Sequence, residues 1–338
     1  MVSRSRNYTH YIGVDVSRNK LDFAVMHGRK LLFCREVQNE TLAILSFIKD
    51  LKDIDGITFS KVIFGMEQTG IYTNHLLNTL KKVKAHVVLE DSVHIRNSLG
   101  KMRGKYDKLD AIRIATYLFR SRDDLKLWQQ RRSIIVQLSH LSTLRFRLLT
   151  LQNSLKVPLK EQNEFLTPQI VKLHSVLCND SLIALKNDVA KVDKAILELI
   201  ASDERLKRLF EIITSVPYVG PVTATQIIVT TNEYLNITDP KKYASYAGVA
   251  PFRKESGTAI TSARVSPIAN KKVKALLHIC AMASVSRDSD LKTYYLRKTQ
   301  EEGKPKMAML NAIRYKIILR VFACLKQDRL YQKDYVRG

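Results

Sequence analysis

The sequence predicts an α/β amino-terminal domain, a helical coiled-coil linker and a mostly α-helical carboxy-terminal domain. Three observations predict it. Short β-rich runs crowd the first ninety residues, leucines spaced by three and four fill the middle, and the last third reads as helices between Pro/Gly turns. The boundaries fall at 1–125, 126–205 and 206–338. A chain of 338 residues with 45% apolar composition buries a core of ordinary size, so global disorder is excluded.

The elements follow in order. Tyr11–Val16 (YIGVDV), Leu21–Met26 (LDFAVM) and Leu31–Val37 (LLFCREV) read as three antiparallel strands, with His27-Gly28 as a turn. Leu42–Leu51 is apolar at helical spacing, and Lys61–Met66 (KVIFGM) is a fourth strand. Ile71–Val83 carries Leu76, Leu77 and Leu80 on one helical face, and His86–Leu89 is a fifth strand. Asp107–Arg120 is a helix, with Ile112, Ala115, Thr116 and Phe119 expected to face inward. Three hairpin strands followed by alternating helix and strand is the order of a ribonuclease-H-like (resolvase-like) sheet. In the middle, Leu141, Leu144, Leu148, Leu151 and Leu155 form one stripe, and Leu182, Leu185, Val189, Val192, Ile196 and Leu199 form another. Two long helices with heptad spacing fold back on each other or pair with another chain, with Pro158 and Pro168 bracketing the break. Later, Ile213–Ile228 (ITSVPYVGPVTATQII) reads as a helix-hairpin-helix, whose turn amides hold a phosphate, or as a plain packing corner. Tyr218 stands where that motif usually places its first glycine.

Charge narrows the function. Lys plus Arg is 56 against 32 for Asp plus Glu, a net +24. The three segments carry +7 (21 basic, 14 acidic), +4 (12 and 8) and +13 (23 and 10). Such an excess attracts polyanions, nucleic acid first. No apolar run reaches the length of a membrane span, and the amino terminus lacks the apolar core of a secretory signal, so a cytoplasmic, nucleoid-associated protein is expected. Cys34, Cys178, Cys280 and Cys324 are scattered without a CxxC, which argues against zinc and disulfides.

Four carboxylates carry the chemistry. Asp15 lies inside a strand, where a carboxylate is expensive without a partner. Glu67 ends the fourth strand, and Asp107 and Asp110 open a helix on one face. In a sheet that brings strands 1 and 4 together beneath that helix, four hard oxygen ligands converge. That suits Mg²⁺, and two ions could clamp a phosphoryl transfer. The plain alternatives are a helix cap and first-turn acid for Asp107 and Asp110, and a solvated strand end for Glu67. Asp22, Glu90 and Asp91 read as surface or supporting acids. The loop Arg96–Lys108, with Arg103 and Lys105, is a candidate nucleic-acid contact, as are Arg253, Lys254, Lys271, Lys272 and Lys274. Ser256 stands at a sharp turn between helices, beside Arg253 and Lys254. It reads as a nucleophile for a phosphodiester or as part of an ordinary Ser-Gly-Thr turn. Tyrosines 294, 295, 315, 331 and 335 stack on unpaired bases or pack helices.

Taken together, GVDVS at Asp15, GMEQTGIY at Glu67, KYDKLDA at Asp107 and Asp110, and YAGVAPFRKESGT at Ser256 resemble the DEDD transposases of insertion-sequence family 110 and the related pilin-gene invertases. The resemblance runs over nearly the whole chain. It implies Mg²⁺ on Asp15, Glu67, Asp107 and Asp110, and a covalent phosphoserine link at Ser256. It also implies donor and target duplex DNA as substrates, a structured noncoding guide (bridge) RNA, and a homo-dimer or tetramer in which the carboxylates of one subunit face the serine of another. One departure is Ser266-Pro267-Ile268-Ala269-Asn270, where the family often has a Ser-Lys-Arg-Gly-Asn stretch. The rival readings are a metal-dependent Holliday-junction resolvase or nuclease using water, a site-specific invertase without guide RNA, an actin-like phosphotransferase, and a non-enzymatic nucleic-acid binder. The phosphotransferase lacks a second phosphate loop.

Overall fold

The computed structural model describes residues 7–68, 70–99, 107–256, 259–266, 268–287 and 289–333. The side chains of Asp107 and of 252–264 lie outside that description. The chain divides into two compact units, 1–130 and 131–338.

The first unit is a five-stranded sheet in the order β3-β2-β1-β4-β5. Its strands are β1 (His10–Val16), β2 (Lys20–His27), β3 (Lys30–Gln38), β4 (Val62–Glu67) and β5 (His86–Glu90). The first three pair antiparallel, whereas β1–β4 and β4–β5 are parallel. All five strands appear where the short β-rich runs placed them, and the expected neighbours β1 and β4 are paired. Alternation sorts their side chains onto two faces. Ile12, Val14, Phe64 and Met66 pack beneath α1 (Thr41–Lys52) and α2 (Asn74–Lys82). Tyr11, Ala24, Ile63 and Val88 pack against α3 (Ser92–Leu99) and α4 (Asp107–Arg120). Two expectations change here. Helix α4 buries Ala111, Ile114, Ala115 and Leu118, whereas Ile112, Thr116 and Phe119 are only half-buried, so its inward face is rotated from the one expected. Arg96, read as loop, lies in α3.

The second unit begins with the long hairpin of α5 (Ser133–Glu161) and α6 (Pro168–Ala201). Pro158 sits inside α5 rather than in a break, and Pro168 takes the first turn of α6, where its missing N–H costs nothing. The root of the hairpin is not a free-standing linker. Ile135, Leu138, Val192, Ile196 and Ile200 share one core with the residues after 205. Around that core stand α7 (Glu204–Ser215), α8 (Pro221–Thr231), α9 (Pro240–Tyr246), α10 (Lys271–Ser286), α11 (Asp290–Leu296) and α12 (Lys306–Lys326). Side-chain caps set four of these starts: Asp203 accepts from Leu206 N, Asp239 from Lys241 N, Asn270 from Val273 N and Ser289 from Lys292 N.

The segment around Ser256 differs from the expected turn between helices. It is a β-hairpin of β6 (Pro251–Ser256) and β7 (Ala259–Val265), with Ser256 paired to Ala259 across a two-residue connection. Tyrosines 294, 295, 315 and 331 pack against the helical core, which favours the packing account for them. Among the described residues, no helix is long and apolar enough to cross a membrane. The four cysteines are free.

Candidate active site

Three of the four predicted carboxylates lie on one face of the sheet, and strand register explains why. Along β1, residues 11, 13 and 15 point toward α4, and along β4 residues 63, 65 and 67 do the same. Tyr11 and Ile63 join the cluster under α4, and Cβ atoms built on Gly13 and Gly65 would strike that helix. The ladder pairs Gly13 with Gly65 and Val14 with Met66. Asp15 and Glu67 follow on adjacent strands where the parallel pairing ends. Asp110 sits one turn into α4, directly before the Ala111 that lies on Gly13. Gly13 therefore lets the helix backbone ride on β1, Gly65 makes room for the Leu118 side chain, and together they bring Asp110 to the side of the strand carboxylates. Gly13 and Gly65 stand within the GVDVS and GMEQTGIY motifs, but their own stretches of sequence carry no mark of the helix that packs on them.

Glu67 feels the charges of the other two. Burial first, then the like charges of Asp15, Asp110 and Asp91, push the Glu67 carboxyl above its ordinary range, while Arg96 pulls it back. Arg113 Nη1 donates to Asp110 Oδ1 at 2.6 Å. Two supporting acids extend the row. Asp22 pairs with Asp15 in the β1–β2 register and is 4% exposed, so it is not a surface group. Lys20 Nζ lies 3.5 Å from Asp22 and 3.0 Å from Glu36, partly neutralising both. Glu90 pairs with Glu67 in the β4–β5 register and accepts a 2.9 Å bond from the Tyr117 hydroxyl. Burial and that bond push the Tyr117 phenol well above its usual range.

The backbone of Asp107 begins α4, one turn before Asp110. Among the described residues, no three His, Cys, Asp or Glu side chains converge closely enough to cage an ion as they stand. The donor set nevertheless suits a hard divalent cation, because crowded carboxylates that raise one another's proton affinity are relieved by a positive ion.

The remaining predicted contacts divide. Arg103 and Lys105 lie outside the described residues, and Arg253, Lys254 and Ser256 are placed by backbone alone, along β6. Lys271 and Lys274 are on the first turn of α10, one exposed and one half-buried. Lys272 is committed elsewhere: its Nζ donates to Ser142 O at 3.1 Å and meets Ser142 Oγ at 3.0 Å, over the Phe146 ring. Burial lowers its pKa, so it serves as a packing pin between α10 and α5 rather than as a free cation. In the turn between α7 and α8, Tyr218 has φ 70°, so this position demands the left-handed backbone usually given to glycine.

Family models match both ends of this architecture. A transposase model, that of the DEDD transposases of IS110, matches residues 12–162. A second, the transposase IS116/IS110/IS902 family, matches residues 210–296. The pilin gene-inverting protein of Moraxella lacunata is 23% identical over 329 residues, 96% of this chain and 98% of the relative. The insertion element IS110 43.6-kDa protein of Streptomyces coelicolor is 32% identical over 130 residues, 38% of this chain and 32% of the relative. The insertion element IS116 44.8-kDa protein of Streptomyces clavuligerus is 27% identical over 150 residues, 44% of this chain and 36% of the relative.

Proposed function

Because this chain carries both domains of the IS110/IS116-family transposases, we propose that it recombines DNA by covalent strand transfer, with Ser256 as nucleophile and Asp15, Glu67, Asp107 and Asp110 holding Mg²⁺. The first domain is then of ribonuclease-H type. The observation that carries the reading is the crowding of Asp15 and Asp110 on Glu67, in a chain whose second domain supplies a separate serine. When bound, Mg²⁺ would polarise the phosphoryl oxygens and stabilise the charge that develops on them.

The chain's own residues do the rest. The Ser256 hydroxyl attacks the phosphorus of a phosphodiester and loses its proton as the bond to the departing sugar oxygen breaks. That oxygen takes up a proton and leaves as a hydroxyl. The new phosphoserine ester conserves the bond energy, so a hydroxyl end of the other duplex reverses the step and frees Ser256 without ATP. The carboxylate row fixes the geometry at the first centre, and Arg253 and Lys254 neutralise phosphates at the second. Donor and target duplexes and a structured guide RNA are the polyanions that a charge of +24 would hold together.

Self-assembly belongs to the same proposal. Helix α6 leaves Leu173, Val176 and Leu177 more than half exposed, at helical spacing, and Phe165 precedes them at 81% exposure. Such a stripe on a soluble hairpin marks a contact with another copy.

The test is trapping of the protein on a labelled DNA substrate with Mg²⁺. Wild type should give a denaturant-resistant adduct, and Ser256→Ala should bind DNA without forming one. An adduct from Ser256→Ala would refute the serine assignment. Free 5′-phosphate ends without any adduct would favour hydrolysis by a nuclease or junction resolvase. The full-length likeness to the pilin gene-inverting protein favours one second reading, site-specific inversion by the same chemistry. A discrete copurifying RNA argues for guided transposition, and inversion of a marked segment without RNA argues for the invertase.

A further inference from the structure

We propose that the first unit holds a second nucleic-acid site, a pocket for one unpaired nucleotide at the end of the sheet opposite the carboxylates. Residues 7–11, the β2–β3 turn and the end of α4 enclose a cavity of about 350 Å³. That is within the range of small-ligand sites, roughly 300–1,000 Å³. Its walls are flat groups. Tyr8, Tyr11, His27 and Phe119 line it, with Arg122 and Asp123. Tyr11 meets Phe119 edge-on, with centroids 5.3 Å apart at 87°, and His27 stacks on His10 at 4.8 Å and 26°. The Arg122 guanidinium lies 5.0 Å from the Phe119 centroid, and that of Arg29 lies 5.8 Å from it.

The walls are held in place before any ligand arrives. The Tyr11 hydroxyl donates to Tyr8 O at 3.0 Å, Gly28 N to Thr9 O at 3.1 Å, and Arg122 Nη1 to Phe119 O at 3.0 Å. His27, Arg29 and Arg122 are nonetheless exposed. A stacked, paired base offers no free face, whereas an unpaired base stacks on aromatic rings and guanidinium planes while nearby cations take its phosphate. The Asp123 carboxylate would accept from an amino or imino edge of the base. A metal finds only one carboxylate among these lining residues, and an apolar ligand would meet a charged mouth. Along β1, five residues separate His10 from Asp15, roughly 17 Å at strand rise, so the pocket stands clear of the carboxylates.

This inference extends the nucleic-acid reading but is tested without metal or cleavage, so either can fail alone. The full-length protein is titrated into fluorescein-labelled 12-nucleotide RNA, DNA of the same sequence, and the 12-base-pair duplex, and anisotropy is followed. The variants are His27→Ala, which removes a ring, and Arg122→Lys, which keeps the charge and removes the plane. Both sites are exposed, so the fold survives. Each variant should lose about 5- to 100-fold in single-strand affinity, the size of one base–aromatic stack, with duplex affinity unchanged within about twofold. Loss for RNA alone, or for RNA and DNA alike, supports the pocket and tells whether the 2′-hydroxyl is read. Unchanged single-strand binding, or equal weakening of single strand and duplex, overturns it.

Discussion

Gly13→Ala tests whether close approach of helix α4 builds the carboxylate centre. An alanine Cβ there would stand 2.1 Å from the Ala111 carbonyl oxygen and 2.4 Å from the Ala115 nitrogen, both backbone atoms. Real Cβ contacts stay above 3.0 Å, so α4 must lift from β1 by about 1 Å. Overpacking of this kind costs about 1–3 kcal/mol, or roughly 5–10 °C of unfolding midpoint for a unit of this size. The same displacement carries Asp110 away from Asp15 and Glu67, and a misplacement of about 1 Å costs on the order of 100-fold in rate. Trp128 is the sole tryptophan, and it packs against the core under α1 and α2, with its backbone N–H donating to Val87 O. Its fluorescence therefore reports melting of the first unit alone, while adduct formation with Mg²⁺ reports the chemistry. Gly65→Ala is the control. Its Cβ would find its nearest atoms, at 2.7 Å, in the Leu118 side chain rather than in the helix backbone, so it should cost less. A Gly13→Ala protein with an unchanged Trp128 transition and undiminished adduct formation would refute the argument, as would a costlier Gly65→Ala.

Three further outcomes are expected. Arg132 grips Asp203 and the buried, left-handed Glu233, with Nη2 2.6 Å from Glu233 Oε1. Arg132→Ala should therefore cost the second unit about 2–3 kcal/mol in urea unfolding, below the range for a fully buried pair because Arg205 remains 3.7 Å from Glu233. In acid, Asp203 has a sign that can be checked. The Arg132 bonds and the Leu206 amide hold its pKa below the ordinary 3.8, so its contribution is complete above that value and is lost as pH falls through the lower folded pKa. An Asp203→Asn protein should show a flatter stability profile below pH 3.8; an identical profile would exclude the linkage. Finally, Leu173→Glu with Leu177→Glu should shift the solution mass toward the 38.7-kDa monomer in light scattering without lowering the melting temperature. An unchanged mass would remove the α6 stripe from the assembly.

The strands of the first unit were legible because a short β-rich apolar run is a local signal: β1, β2 and β4 are buried on both faces and so read as near-continuous apolar stretches between turns. Asp15, inside one such run, and Glu67, at the end of another, stood out because an acid in an otherwise buried stretch needs a partner. The hairpin β6–β7 escaped, since Arg253-Lys254-Glu255-Ser256 is polar at every position and its pairing partner, not its own pattern, makes it a strand. The inward face of α4 escaped too. It is set by the paired glycines on two strands far away in sequence: Gly13 seats the backbone of Ala111 and Ala115, and Gly65 makes room for the Leu118 side chain.

By itself, then, the sequence determined a basic chain of the kind that attracts polyanions, a sheet with an acid inside one strand and another ending a second, and long helices in the middle. Composition and periodicity settle such things one segment at a time. Only the tertiary structure decided that Asp22 is buried in the carboxylate row, that Lys272 is spent on Ser142, and that the root of the α5–α6 hairpin belongs to the second unit's core. These outcomes depend on which surfaces exclude water from each other, and that is a property of packed pairs distant in the chain, not of either partner's local sequence.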